Sequence, residues 1–329
     1  MKKNSFKALA LSLVAMFSVS TASAQVEVAI TGLPDAITDV VNNKMGFILS
    51  ECNFAQESGI QPDLTGLTLL ETIREQVTKT FQDCPFRCPE DVVVQPVRKV
   101  KEGYEVRNVP IIMCPTDKTT GTWKTYQDLV FTIDFTGELI NFRFSVNADE
   151  YAKAMGMANS VTELDQLQMI MEYLERFRNA YCLKDIDFLD QVFSDDALII
   201  TGTVLSGNNL KKETSKLPVK YTKYSKKEYI GHLRDVFRRN AKISVTFEDI
   251  SIKRHPSIDG LYGVQLKQGY QSDRYGDVGY LFLLWDFRNP ERPQIHIRTW
   301  QDERLWTEAT ASEPQEERYD IDSFDLSDF

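Results

Sequence analysis

The segment YLERFRNAYCLKDIDFLDQVFSDDAL, running from Tyr173 to Leu198, carries three structural signals in succession. Leu174, Phe177 and Tyr181 continue a three-and-four spacing begun at Leu167 and Ile170, which predicts one apolar stripe on an amphipathic helix. Asp185 then leads into a short helix bearing Phe188, Leu189 and Phe193, and a strand follows from Leu198 to Thr203. Upstream, Ser160 and Glu163 have capping-box spacing, which places the start of the long helix just after Ser160. The weakly patterned stretch from Ala148 to Ser160, with Gly156 inside it, puts a domain boundary near residue 158.

Downstream, Ser225 and Glu228 cap another helix, whose stripe is Tyr229, Leu233, Val236 and Phe237. Four extended segments follow. Ile243, Val245 and Phe247 alternate, but Ile250 and Ile252 have changed parity, which predicts a β-bulge near Glu248-Asp249 and hence a bent sheet. The last two strands form a hairpin around residues 288–292. Pairing Trp285 with Ile295 and Leu283 with Ile297 places Leu281, Leu283, Trp285, Phe287, Ile295 and Ile297 on one apolar face. The same register puts Asp286, His296 and Arg298 together on the opposite face, beside Tyr280, Phe282, Leu284, Gln294 and Trp300. A carboxylate could there orient an imidazole as general base. Because the apolar face meets the helices, the three groups are expected outside, where a salt bridge or an interface is the plainer role. A sheet apolar on both faces is normally covered on both, so this outer face is a candidate homodimer surface.

This order of helix, short helix, strand, helix and long bent antiparallel sheet resembles the nuclear transport factor 2-like, or SnoaL-like, superfamily. The resemblance covers roughly residues 162–304 and is most specific where Ala180, Asp185, Leu189, Phe193, Asp196 and Ala197 match the opening helix pair. The chain also resembles exported proteins of Bacteroidetes bacteria that carry such a domain. The resemblance implies a cone-shaped half-barrel of antiparallel sheet wrapped around three helices, with a pocket at its open end. Members of the superfamily include isomerases, dehydratases and epoxide hydrolases as well as binding and dimerising domains. No short catalytic signature is shared among them, so no residue role transfers, and fold alone does not select a function.

The first half, residues 25–157, reads as a smaller α+β domain. Val26, Val28 and Ile30 alternate, and Pro34 opens a helix carrying Ile37, Val41, Met45 and Ile48. Thr68 and Glu71 suggest a capping box for a second helix with Leu70, Ile73, Val77 and Phe81. Extended segments follow near 91–99 and 103–114. Leu129, Phe131, Ile133 and Phe135 then face Ile140, Phe142, Phe144 and Val146 across Thr136-Gly137, pairing Ile133 with Ile140 and Phe131 with Phe142. Thr132, Asn141 and Arg143 occupy the other face, so the two helices are expected to cover one side of the sheet. The half repeats the helices-then-hairpin theme of the second and is a candidate diverged copy.

The remaining features bear on compartment and partners. Lys2, Lys3 and Lys7 precede the apolar run Ala8 to Phe17, and Ala22-Ser23-Ala24 follows, the pattern of a signal peptide over residues 1–24 with Gln25 as the mature start. No cysteine stands there for a lipid anchor, so a periplasmic or secreted protein is expected, with no membrane span. The chain of 329 residues has 48 acidic against 38 basic residues, and its net charge of −10 argues against general nucleic-acid binding. Cys84, Cys88 and Cys114 are candidates for a disulfide; zinc is not supported, since neither Cys-x-x-Cys nor a suitably spaced His accompanies them. Neither a phosphate loop, a Gly-x-Ser-x-Gly elbow nor a zinc-protease motif occurs, and no cofactor or metal is expected.

Residues 211–227 hold seven lysines, among them Lys211, Lys212, Lys216, Lys220 and Lys223, against Glu213 alone. Residues 305–329 read as an acidic tail; from Thr307 onward eight carboxylates oppose Arg318, with Tyr319, Phe324 and Phe329 interspersed. Composition fits a solvated loop and a disordered tail, or else a tail that docks on a basic groove of this chain or of a partner. Calcium at Asp320, Asp322 and Asp325 is weakly supported, because the turn glycine is missing. The expected function is an exported, non-catalytic ligand-binding or protein-assembly module of the cell envelope, taking an envelope protein or a small apolar ligand. The alternative is a small-molecule isomerase, dehydratase or hydrolase whose reacting groups line the mouth of the cone.

Overall fold

The computed structural model describes residues 25–113, 126–204 and 219–303. The leader, Cys114, Lys211, Lys212, Lys216 and the tail with Tyr319, Phe324 and Phe329 lie outside the described residues. The chain is a two-domain α+β protein with one mixed sheet in each half. In the first, β1 (Glu27–Thr31) precedes α1 (Asp35–Ser58) and α2 (Glu71–Asp83). The strands β2 (Phe86–Arg87), β3 (Val92–Val100), β4 (Gly103–Met113), β5 (Tyr126–Asp134) and β6 (Leu139–Ser145) follow. The sheet order is β1-β3-β4-β5-β6, with β1 parallel to β3 and β2 added on β4.

Two local expectations fail for identifiable reasons. Helix α2 begins after Leu70 with no side-chain cap, two residues beyond Thr68, so Thr68 and Glu71 do not form a capping box. In the hairpin, Phe131 pairs with Phe142, but Ile133 pairs with Leu139 and not with Ile140. The Asp134 carboxylate accepts bonds from the backbone of Thr136 and Glu138 and from the Thr136 hydroxyl, closing a longer loop than a two-residue turn. Leu139 therefore takes the buried position, and Phe135 is exposed.

The second half contains α3 (Ala148–Met155), α4 (Val161–Cys182), α5 (Ile186–Val192), β7 (Phe193–Val204), β8 (Val219–Tyr224) and α6 (Lys226–Arg239). It ends with β9 (Ile243–Arg254), β10 (Leu261–Ser272), β11 (Gly276–Asp286) and β12 (Gln294–Asp302), in a sheet ordered β8-β7-β12-β11-β10-β9. Ser160, Asp185 and Ser225 each accept a backbone N–H in the first turn of their helices, as their spacing predicts. The expected bulge forms opposite Leu266: Gln265 pairs with Ser251 and Lys267 with Glu248, and Asp249 adopts φ +51°. Helix α3 forms in the stretch that reads as weakly patterned: Asn147 caps it, and Tyr151, Ala154 and Met155 make a short stripe in which Ala154 alone is fully buried. It packs on the core of the second half, and its Glu150 accepts the backbone N–H of Ile250.

Helix α4 joins the halves. One flank, Leu167, Ile170, Leu174, Phe177 and Tyr181, fills the second core. The other carries Glu175, Arg178 and Asn179, all buried, against the edge strand β6. Asn179 exchanges two bonds with the backbone of Phe144, Glu175 accepts from Val146, and Arg178 donates to the Ser145 carbonyl. A strand edge that would otherwise expose free backbone groups is thus sealed by side chains. Glu175 also receives Arg107 and Arg143, and Arg143 reaches on to Glu105, which Arg98 closes at 2.7 Å. The sheet expected to be covered by helices on one side is therefore buried on its Glu105, Arg107 and Arg143 face as well. Burial opposes the charge of Glu105, but Arg143, Arg107 and Arg98 hold its carboxyl below the usual range.

Removing the Glu175 charge leaves Arg107 and Arg143 with Glu105 alone, which Arg98 also shares, so the buried cluster loses its balance. Glu175→Gln is expected to lower unfolding stability by about 3–5 kcal/mol, measured by urea denaturation; a loss under about 1 kcal/mol would show that the cluster is solvated.

Candidate functional site

The terminal hairpin sets which side chains enter the cone. Trp285 pairs with Ile295 as expected, but Leu284 pairs with Ile297 and Leu283 with Arg298, so His296 is an extra residue in β12. This bulge keeps His296 and Ile297 on the outer face and turns Arg298 inward. The expected trio is therefore split. Asp286 and His296 remain outside, 3.2 Å apart, and Arg288 clamps Asp286 through its Nε and Nη2. Burial opposes ionisation of Asp286, yet the Arg288 bonds hold its carboxyl down at about 2. Phe282 and Leu284 on that face are already buried within one chain, in a small cluster with Leu261 and Ile297.

Inside the cone lies a cavity of about 320 Å³. Its deep wall is Tyr181 of α4, Tyr229 of α6, Val245 of β9 and Arg298 and Trp300 of β12, while Thr203, His232 and Arg274 form an exposed rim. The Trp300 indole lies flat across its two neighbouring strands. That is possible only because Gly202 on β7 and Gly279 on β11 stand beneath it: a Cβ on Gly279 would come within 2.5 Å of the ring. Replacing Gly279 by Val is expected to push the ring into the cavity and lower stability by about 1–3 kcal/mol, read from urea unfolding; an unchanged midpoint would contradict this packing.

Arg298 is the charged group at the centre. It is buried, it hydrogen-bonds Tyr181, and its Cζ lies 5.5 Å from the centre of the Tyr229 ring. Burial opposes its charge, but Tyr229, Tyr181 and Asp277 hold the guanidinium above its ordinary value. The Nε and Nη1 atoms have no partner among the described residues. The Tyr181 and Tyr229 hydroxyls meet at 2.7 Å, and burial raises Tyr181 well above the usual phenol range. On the next strand, burial pushes the Asp277 carboxyl up to about 6 despite a hydrogen bond from Tyr275 and the charge of Arg298. Tyr270, facing it from β10, is pushed up to about 12 by burial. The arrangement gathers donors around one buried cation and sets a carboxyl able to change protonation near neutral pH beside it.

The other sequence candidates fall elsewhere. Lys220 lies opposite Thr203 and so shares the cavity side of the sheet at its rim, whereas Lys223 opposes Ile200 on the other side. Cys88 is unbridged and its Sγ approaches the Glu90 carbonyl, so the disulfide expected among Cys84, Cys88 and Cys114 does not include it. Burial raises its thiol pKa. Cys84 instead lies with its Sγ 3.7 Å from the Ile243 carbonyl, across the junction of the halves. Among the described residues no group of three His, Cys, Asp or Glu gathers to hold a metal. No helix among them is long and apolar enough to cross a membrane. Sequence reasoning missed Tyr181, Tyr229 and Asp277 as site residues, since the first two read as core and the third carries no pattern of its own. Arg298 was a candidate on the outer face, and no apolar parity change marks the bulge at His296 that turns it inward.

The C-terminal half has the element order and bent six-stranded sheet that the resemblance to the NTF2-like superfamily implies. No protein-family model and no curated protein sequence matches the chain. Among solved structures it is similar to an NTF2-like protein from Cytophaga hutchinsonii, at 14% identity and TM-score 0.31, over 42% of this chain and 98% of that one. The beta subunit of the benzoate 1,2-dioxygenase from Burkholderia mallei is similar at 9% identity and TM-score 0.31, over 45% of this chain and 94% of that one. Bd1075 of Bdellovibrio bacteriovorus is similar at 13% identity and TM-score 0.33, over 63% of this chain and 74% of that one.

The carboxyl of Asp277 gives a stability test with a definite sign. Its folded pKa of about 6 lies above the unfolded value near 4. Ionising it therefore costs stability progressively between pH 4 and 6, and the full cost persists above. Asp277→Asn is expected to stabilise the protein by about 3 kcal/mol at pH 7.5 and by nothing at pH 3.5. Denaturant titrations at the two pH values read the difference; equal effects at both would contradict the burial.

Proposed function

We propose that this chain is an exported ligand-binding module of the cell envelope, whose C-terminal cone takes up a small organic molecule with an apolar or aromatic body. The supporting observation is the buried Arg298, with Nε and Nη1 unpartnered beside an unfilled cavity. A buried polar group without a partner costs stability, so its retention fits a molecule that arrives to meet it. A domain used only for assembly has no need of a hollow interior carrying such a group. Export is supported by the charged, apolar and small-residue order of residues 1–24. Partner docking through the lysine-rich segment and the acidic tail remains part of the proposal, on their complementary charge.

A second reading, an isomerase or dehydratase of a small carbonyl compound, is favoured by one observation. Asp277, poised near neutral pH, shares the cavity with Arg298, so a proton acceptor and a cation for developing oxygen charge are both present. A thermal-shift screen of small aromatic and alicyclic oxygen compounds tests the first reading. Hits are expected to raise the melting temperature of the unaltered protein by several degrees and to leave Arg298→Met unmoved. Hits that act equally on both would place the ligand outside the cone. Incorporation of solvent deuterium into a bound hit, seen by NMR, would move the assignment to the enzyme.

A further inference from the structure

Resting on the ligand-binding reading, the polar end of the cavity specifies what the ligand must present. Its centre is a cation with N–H groups to spare, and the unpartnered acceptors of the wall are the Asn240 and Asp277 side-chain oxygens. Arg298 commits one N–H to Tyr181, and its Nε and Nη1 hydrogens are left over. The Tyr181 and Tyr229 hydroxyls share one hydrogen bond at 2.7 Å, which uses one of their two protons. The second of these protons has no acceptor among the described residues. Unpartnered guanidinium N–H groups and one spare phenol O–H stand at one end, donors suited to a group rich in oxygen and with no hydrogen of its own. The cation also selects for negative charge. A phosphate, with more oxygens and greater charge, would leave oxygens unpaired against the apolar remainder of the wall. That remainder is flat on one side, the Trp300 indole held against the sheet by Gly202 and Gly279, and aliphatic on the other, Leu233 and Val236 of α6.

Asp277 opposes such a ligand. It faces Tyr275 in the turn before its strand, Tyr270 on β10, and Arg298 and Asp302 on β12. On the far side of β10 and β11, Lys267 pairs with Glu303 beside Glu248, while Arg274 stands at the rim. Among these only Arg298 and Tyr275 favour the ionised form of Asp277, and a bound anion would take over Arg298. One Oδ1 of Asp277 already lacks a partner. A second carboxylate beside an ionised one in a shared site is repelled, so the proton must return to Asp277 first.

We propose that the cone binds a small carboxylate with a flat apolar body, its two oxygens received by Arg298 and the Tyr181–Tyr229 hydroxyl pair, and that tight binding requires a proton on Asp277. The carboxylate stays ionised near neutral pH, and the proton taken up on binding resides on Asp277. Affinity therefore rises as the pH falls through the carboxyl's titration range, near 6. Arg274, and Lys220 opposite Thr203, place further positive charge at the rim, where it attracts an anion from solution.

Isothermal titration of the full chain with 2-naphthoate and with the isosteric neutral 2-naphthamide, at pH 5.5 and 7.5, tests the proposal. The naphthoate is expected to bind at least ten-fold more tightly than the amide at pH 5.5. Its affinity is expected to fall roughly ten-fold or more between pH 5.5 and 7.5. Asp277→Asn, which the burial argument expects to fold stably, is expected to bind naphthoate equally at both pH values. Arg298→Lys, which keeps the charge but loses the planar, multiply donating guanidinium, is expected to weaken it at least ten-fold. An amide that binds as well as the acid would overturn the carboxylate and leave the ligand-binding reading standing. Naphthoate affinity independent of pH in the unaltered protein would overturn the requirement at Asp277. Failure of both compounds to bind would remove this proposal, while hits from the broader screen would decide the ligand-binding reading separately.

Discussion

Burial of Glu175 is the constraint around which the two halves are arranged. A carboxylate with no exposed surface is tolerable only if its oxygens are fully met, and here Arg107, Arg143 and the Val146 backbone meet them from the first half. The cost of taking these charges out of water is recovered only in one geometry, so the cluster specifies register more than it adds stability. Helix α4 cannot rotate or slide along β6 without stranding either Glu175 or the Asn179 amide. Its opposite flank is thereby fixed as well, and that flank is the axis of the cone.

The same fixing acts on the cavity through Arg178. Its guanidinium donates to the Ser145 carbonyl of β6, to the Gln127 side chain of β5 and to the Val245 carbonyl of β9. Val245 lines the cavity, so one buried side chain ties a strand of the cone wall to the edge of the other sheet. Burial lowers the pKa of Arg178 because no carboxylate bonds it directly. Carbonyl groups are weaker partners than carboxylates, so this guanidinium is held by three directed hydrogen bonds and not by a direct ion pair.

How far this was legible in the sequence depends on the range of the signal. Local chemistry read well: Ser160, Asp185 and Ser225 begin helices, and Ile250 with Ile252 reports a bulge by parity alone. The α4 stripe was equally clear, because apolar spacing is a property of one helix. Glu175, Arg178 and Asn179 carry no comparable signal, since nothing in a helix's own sequence says that its polar side is buried by a partner over thirty residues away. Bulges without an apolar parity change were also silent. At Ile140 two adjacent apolar residues, Leu139 and Ile140, compete for one inward place, and the turn at Asp134 decides between them. At His296 the chain continues with Ile297 and Arg298, and placing the aliphatic residue inside is the natural choice from composition.

That last choice fails for a reason that also explains the site. A strand of alternating pattern would put Ile297 into the cone and complete a dry core, and Trp300 would then lie outside. The extra residue exchanges them: Ile297 joins Leu261, Phe282 and Leu284 on the outer cluster, while Arg298 and Trp300 come in together. The indole needs Gly202 and Gly279 beneath it, and the guanidinium needs the Tyr181 hydroxyl beside it, so one inserted residue depends on support from three other elements. Local disruption of a ladder that is matched by compensating residues across several strands is the mark of a site kept against the simpler packing. The first half then has a physical part in that site. By holding α4 at Glu175 and Arg178, it sets the height of Tyr181 in the cone, and with it the direction in which Arg298 presents its free N–H groups.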